Sequence, residues 1–236
     1  MKPDATLPLG HDLSTSELGA ELRCFPLKVS SAPGLFVRGL QFPFAVGINV
    51  EDGEVALRSQ SRSRRKTSGD RLWVPLGEAF DILLLKSNLD CASAVTFRLS
   101  EPESADCKYA SLRNKCAVEV FTNPGTSWNV PSMARRLGLP PAQLCQRLFA
   151  EGAALSEIIR KQRCMNAFLS LLATVDSMDT IARNNGFTGP RQMEREFHET
   201  LMLDAQLLER PLPEDCRSVS YSVRAELRAR VFRIRA

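Results

Sequence analysis

Arg191, Gln192, Glu194 and Arg195 crowd into one short run, Pro190-Arg191-Gln192-Met193-Glu194-Arg195-Glu196-Phe197, in which Met193 and Phe197 stand one helical turn apart. On a helix anchored through Met193 and Phe197, those four polar side chains are the ones most able to reach outward. A guanidinium can address guanine, and a glutamine amide adenine, by paired hydrogen bonds in a major groove. The chemistry on offer is therefore reading of a double helix, not bond breaking. A second run, Ala142-Gln143-Leu144-Cys145-Gln146-Arg147-Leu148, has the same form: Leu144 and Leu148 recur at i,i+4 and leave Ala142, Gln143 and Gln146 outside.

Each run needs a partner helix to hold it. Ahead of Arg191, Ser177 caps a short helix containing Ile181 and Ala182, Asn184-Asn185-Gly186 turns the chain, Phe187 packs the turn, and Gly189-Pro190 opens the next helix. Ahead of Gln143, Ser132 is expected to cap a helix carrying Met133, Ala134 and Leu137; Gly138 permits a sharp exit, and Pro140 and Pro141 suit the first turn that follows. Both are helix-turn-helix patterns. Between them Leu155 to Thr174 reads as a long amphipathic helix, with Ile158, Ile159, Met165, Phe168, Leu169 and Leu172 facing a core and Arg160, Lys161 and Arg163 interrupting them. Arg163 is read as a phosphate contact or, in preference, as a tie between neighbouring helices through its rigid fork of donors. A spacer of this kind could set two reading helices in successive major grooves of one duplex.

Charge agrees with that placement. Residues 1–128 carry 15 basic and 15 acidic side chains, whereas residues 129–236 carry 16 basic against 12 acidic, so the whole net charge of +4 lies in the half that contains the helix pairs. The first half reads differently. Leu35–Val37, Ala45–Val50, Glu54–Leu57, Arg71–Val74, Phe80–Leu84 and Ala94–Leu99 are strand-like runs separated by turn formers, which suggests a sandwich or small open barrel. Asp52-Gly53 is the clearest hairpin signal. Arg62, Arg64, Arg65 and Lys66 are expected at a solvated hairpin tip, in preference to a phosphate contact in a loop. Asn123-Pro124-Gly125-Thr126-Ser127 marks the boundary between the halves.

Several classes are excluded at this level. Gly34, Gly39 and Gly47 lack phosphate-loop spacing, no GxSxG nucleophile pattern occurs, and His11 and His198 form no imidazole cluster, so neither a catalytic site, a metal nor another cofactor is expected. Seven dispersed cysteines without CxxC fit a reduced compartment better than a disulfide framework, although Cys91, Cys107 and Cys116 could form a thiol sensor if brought together. No leader-like or membrane-spanning run is visible, and the protein is expected to be cytoplasmic with no membrane partner.

Ile181-Ala182-Arg183-Asn184-Asn185-Gly186-Phe187, followed by Met193, Arg195 and Phe197, resembles the second-unit pattern of the AraC/XylS family of bacterial transcription regulators. Met133-Ala134-Arg135-Arg136-Leu137-Gly138-Leu139 with Leu144 is similar to its first unit, Arg163 falls at its recurrent basic position, and Gly69-Asp70-Arg71-Leu72-Trp73-Val74-Pro75-Leu76-Gly77 looks like a strand-turn segment of its cupin-like domain. The resemblance implies an α+β chain: a cupin-like small β-barrel or sandwich (residues 1–122), a linker (123–128), an all-α double helix-turn-helix domain (129–210) and a basic tail (211–236). It implies a sequence-specific activator that binds double-stranded promoter DNA, contacts RNA polymerase, and is controlled through its N-terminal half by a small-molecule effector, a homodimer contact or a regulatory protein partner. Ala142, Cys145 and Gln146 would face the first groove with Gln143 and Arg147 beside them; Arg191, Gln192 and Arg195 would serve the second, with Glu194 adjacent. The alternative is a co-regulator of the same fold that works by protein interaction with little DNA reading.

The chain departs from the family pattern in several places. Leu148 stands where the family has an aromatic residue and Arg147 where it has an apolar one, and the chain is one residue shorter before Leu155. Met202 replaces a usual glycine and Ala205 a usual proline. Too few residues separate Leu99 from Asn123 for two long helices, though Ala105–Arg113 could form one short helix.

Overall fold

The computed structural model describes residues 24–29, 34–59, 63–85, 93–99, 111–205 and 208. His11, Arg62, Cys91, Cys107, Cys216 and the basic tail, on which several expectations rest, lie outside them.

The described residues of the first half form eight strands: β1 (Cys24–Val29), β2 (Gly34–Leu40), β3 (Val46–Asp52), β4 (Glu54–Ser59), β5 (Ser63–Thr67), β6 (Arg71–Val74), β7 (Phe80–Leu85) and β8 (Ser93–Leu99). They pair antiparallel in two four-stranded sheets, ordered β1-β8-β3-β6 and β2-β7-β4-β5. Apart from the β4–β5 hairpin, each strand crosses to the other sheet before the next begins, which is the double-sheet jelly roll of cupin domains. Alternation sends Leu35 and Val37, Val55 and Leu57, Leu72 and Val74, and Phe80, Ile82 and Leu84 to the interior, where they meet Val46, Ile48, Val95 and Phe97. The expected sandwich is present.

Two expectations about its turns need correction. Asp52-Gly53 does not close a hairpin: β3 pairs with β6 and β8, and β4 with β5 and β7, so the turn passes the chain from one sheet to the other. The positive φ of Gly53 (80°) is still required, and a Cβ there would collide with Ser93. A bulge in β3 between Val50 and Asp52 bends the strand toward the crossing. Likewise Arg64, Arg65 and Lys66 occupy no loop tip. They lie on β5, the edge of its sheet, where Arg65 approaches Glu54 (3.7 Å) and Lys66 approaches Asp70 (3.5 Å). Charged side chains on an edge strand discourage pairing with another chain.

Among the described residues six helices follow: α1 (Leu112–Thr122), α2 (Val130–Leu137), α3 (Pro141–Ala150), α4 (Leu155–Ala173), α5 (Met178–Asn184) and α6 (Pro190–Leu201). Most of the short helix expected over Ala105–Arg113 lies outside the described residues; α1 starts at Leu112, where Ser111 and Glu151 satisfy its first amides. Ser111 Oγ accepts from Asn114 N, and the Glu151 carboxylate accepts from Leu112 N (2.9 Å) and Arg113 N (2.8 Å). α1 precedes the Asn123–Ser127 turn, yet its Cys116, Ala117 and Val120 share a core with Met133, Ala134, Leu144, Leu148 and Ile158.

α4 is less amphipathic in place than in sequence. From Cys164 to Leu169 every residue is buried, because the sandwich covers one side and the helix pairs the others. Phe97 of β8 meets Phe168 edge-on with centroids 6.0 Å apart, and Phe44 meets Phe121 of α1 at 5.4 Å. Gln41 N and O are both engaged by α4, through Met165 Sδ and Gln162 Nε2. One continuous core therefore runs from the sheets through α4 into α5 and α6.

Candidate nucleic-acid interface

Each helix pair is built from local signals that force a tight turn. In the first, the expected cap is shifted by three residues: Asn129, not Ser132, is the N-cap. Asn129 Oδ1 accepts from Ser132 N (2.8 Å) and Ser132 Oγ accepts from Asn129 N (2.9 Å), a reciprocal box that starts α2 at Val130. Gly138 ends it at φ 67°, a left-handed conformation that a Cβ would penalise. Pro141 then occupies the first position of α3. In the second pair, Ser177 Oγ accepts from Thr180 N, Gly186 turns at φ 80°, and Pro190 begins α6.

Leu144 and Leu148 are buried, so α3 presents Ala142, Cys145, Gln146 and Arg147 to solvent, with Gln143 half-buried. The substitutions around Leu148 thus leave the inward face on Leu144 and Leu148. The next residue, Phe149, is 85% exposed. No sequence expectation covered it, although a residue one step past an i,i+4 apolar pair must rotate about 100° away from the core.

On α6, Met193 and Phe197 are fully buried and Arg191 and Arg195 are exposed one turn apart. Gln192 is half-buried, and its Oε1 accepts from Thr188 N (2.7 Å) and Thr188 Oγ1 (2.9 Å). Paired recognition of adenine needs both the carbonyl and the amino group of a glutamine. In this geometry Gln192 has only its amino group to offer. Glu194 is half-buried, and Glu196 turns toward α4, where Arg160 lies 3.7 Å away and also reaches Glu199 at 3.5 Å. Glu196 is thereby drawn to the protein side of α6.

Arg163 joins the linker turn to the second pair. Its Nε and Nη2 donate to the carbonyls of Pro124 and Thr126, each at 3.0 Å, and burial lowers its pKa. The guanidinium also lies against Gly186: a Cβ there would sit 2.8 Å from Arg163 and 2.5 Å from Pro124 O. The linker turn, α4 and the second helix-turn-helix thus meet at one side chain. Arg136, unassigned from sequence, makes a second tie, its Nε donating to Glu119 Oε2 of α1 at 2.8 Å.

Among the described residues no group of three or more His, Cys, Asp or Glu side chains is placed to hold a metal ion. Nor is any helix among them long and apolar enough to cross a membrane. Cys116 and Cys164 are buried free thiols, pushed up to about 12 mainly by desolvation, and Cys145 is a free thiol on the exposed face of α3. With Cys91 and Cys107 outside the described residues, the thiol-sensor arrangement lies outside them too.

No protein-family model and no curated protein matches the sequence. Solved structures of ToxT from Vibrio cholerae do match. One crystal form covers 79% of this chain and 98% of its own, with a TM-score of 0.59 at 11% identity. Unsaturated fatty acid bound wild-type ToxT covers 78% of this chain and 93% of its own, with a TM-score of 0.57 at 10% identity. ToxT from strain O395 matches at a TM-score of 0.58 and 12% identity. At such identities the likeness is one of fold, and it is the fold that the resemblance to AraC/XylS regulators implied: a β-sandwich followed by two helix-turn-helix units joined through a long helix.

Proposed function

We propose that the protein is a sequence-specific DNA-binding transcription regulator of the AraC/XylS type, in which α3 and α6 read two major-groove segments of promoter DNA. The observation that carries this reading is on α6. Arg191 and Arg195 project from one exposed face while Met193 and Phe197 fix the opposite face in the core. Arg135, exposed on α2, adds positive charge on a supporting helix, as phosphate positioning requires; Arg183 on α5 is paired with Asp179 at 3.0 Å. In the first unit Ala142, Gln143, Cys145, Gln146 and Arg147 are the groove-facing set, and small Ala142 suits close approach more than base reading.

The N-terminal half, taken as residues 1–122, acts as the control element, with residues 129–210 as the DNA-binding unit. A ToxT structure carries an unsaturated fatty acid, which supports small-molecule control here, and the continuous core from sandwich to α6 gives such a ligand a route to the reading helices. Recruitment of RNA polymerase and self-association complete the proposal. The co-regulator reading has one observation in its favour, the exposed Phe149 on α3, a side chain suited to a protein surface.

The test is protection mapping on the protein's own genomic DNA at fixed salt, comparing the native chain with Arg191→Ala and Arg195→Ala. Two protected segments about one duplex turn apart, both weakened by either substitution, are expected. Weak, uniform binding unaffected by both substitutions would refute DNA reading and favour the co-regulator.

A further inference from the structure

Gln192 is the third residue of α6, in the first turn, from which recognition helices of this type reach base edges. It stands beside the exposed face of Arg191 and Arg195. Its Oε1 accepts from Thr188 N at 2.7 Å and from Thr188 Oγ1 at 2.9 Å, both at the protein surface. A backbone N–H can only donate, so the amide cannot be turned end for end at this contact, and two donors fill both lone pairs of Oε1. Nε2 is left with two hydrogens that meet no acceptor among the described residues, and it keeps contact with solvent. The nearest carboxylate on that side of the helix does not stand in for the occupied carbonyl. Glu196, one turn further along, has its Oε2 buried and turned toward Arg160 at 3.7 Å. Gln192 therefore shows the outside a pure hydrogen-bond donor whose orientation is set before any partner arrives.

We propose that Gln192 determines specificity by reading a base whose major-groove edge carries acceptors without a donor, guanine or thymine, and by rejecting cytosine and adenine. The inference rests on the DNA-reading proposal above and names the base class at one position of the second groove segment. Guanine presents O6 and N7, two acceptors for one amino group, and is the best match; thymine presents O4. Adenine sets an amino donor beside its N7 acceptor, and cytosine presents only a donor. A donor facing a donor leaves both without a partner once water is displaced, so cytosine is disfavoured most and adenine next. The paired glutamine–adenine contact is closed to this side chain because Thr188 holds the carbonyl that it needs.

Selection of bound duplexes from a random-sequence library at fixed salt, by the full native chain, Gln192→Glu and Gln192→Ala, tests it. Glutamate can keep one oxygen on Thr188 and turn the other outward as an acceptor. At one position, guanine or thymine is therefore expected to give way to cytosine by at least about fivefold in relative affinity, with the rest of the selected sequence unchanged. Gln192→Ala should bring the four bases to within about twofold of one another at that position alone. Ratios between bases do not depend on how much of a variant is folded, so a weakened start to α6 cannot mimic either result. Adenine or cytosine preferred by the native chain at the position that Gln192→Glu alters, or the same sequences selected by all three chains, overturns this inference and leaves DNA reading standing. A native chain that selects no sequence overturns DNA reading, and this inference with it.

Discussion

Replacing Arg163 by alanine removes two charge-assisted hydrogen bonds to the carbonyls of Pro124 and Thr126 and empties the space against Gly186. A hydrogen bond to a charged group contributes about 1.5–3 kcal/mol. With the guanidinium only half-buried, the low end applies and the pair is worth about 2–3 kcal/mol. Trp128 reports locally, since its Nε1 donates to Asn123 O (2.9 Å) in the same turn. Urea unfolding followed by Trp128 emission, in a Trp73→Phe background that silences the exposed second tryptophan, should show a loss of that size. Arg163→Lys, with one ammonium in place of a fork, should recover less than half. DNA affinity should fall because the second unit loses its anchor to the linker turn, while the slope of affinity against salt stays unchanged. A slope smaller by about 1 would instead mean a lost phosphate contact. A stability loss below about 0.5 kcal/mol, or that change of slope, would refute the assignment of Arg163 as a tie.

Gly186→Ala should cost at least about 2 kcal/mol in the same unfolding assay, from positive-φ strain together with contact against Pro124 O and Arg163. Arg136→Ala leaves the buried Glu119 carboxylate without its guanidinium and should cost about 3 kcal/mol. The double replacement Glu119→Gln with Arg136→Met should recover most of that loss by urea midpoint. The raised pKa values of Cys116 and Cys164 make stability pH-dependent on the alkaline side: folded thiols keep protons that unfolded thiols release above about 9, so stability is retained below that pH and falls as pH rises toward about 12. A Cys164→Ala variant should show a shallower decline in urea midpoint between pH 8 and pH 10. Iodoacetamide at pH 8, followed by peptide mapping, should label Cys145 and spare both buried thiols in the folded protein.

What could be foreseen from the chain depended on how locally it was encoded. The alternation in Phe80–Leu85 and the i,i+4 pairs Leu144/Leu148 and Met193/Phe197 each specify an inward face within one element. Asp52-Gly53 shows the limit of such signals. The dipeptide announces a positive-φ turn but carries nothing about which strands its neighbours will pair with, and here they enter different sheets. The cap expected at Ser132 falls on Asn129 because serine and asparagine are both good caps, and only the reciprocal geometry chooses between them. At the candidate interface, the polar positions of α6 were legible as a group. Their separation into exposed Arg191 and Arg195, a Gln192 occupied by Thr188 and a Glu196 drawn to Arg160 was not.

The sequence by itself determined the two helix-turn-helix units, the strand-rich first half and the arginines offered outward, because caps, left-handed glycines and apolar periodicity act over a few residues. Only the tertiary structure decided which sheet each strand joins, that the sandwich buries α4 and continues into the core of the second unit, that Arg163 and Arg136 bond to other elements, and that Gln162 is held by Gln41. Those outcomes pair groups tens to more than a hundred positions apart, such as Gln162 with Gln41, and a contact of that kind is a property of packing that no single segment encodes.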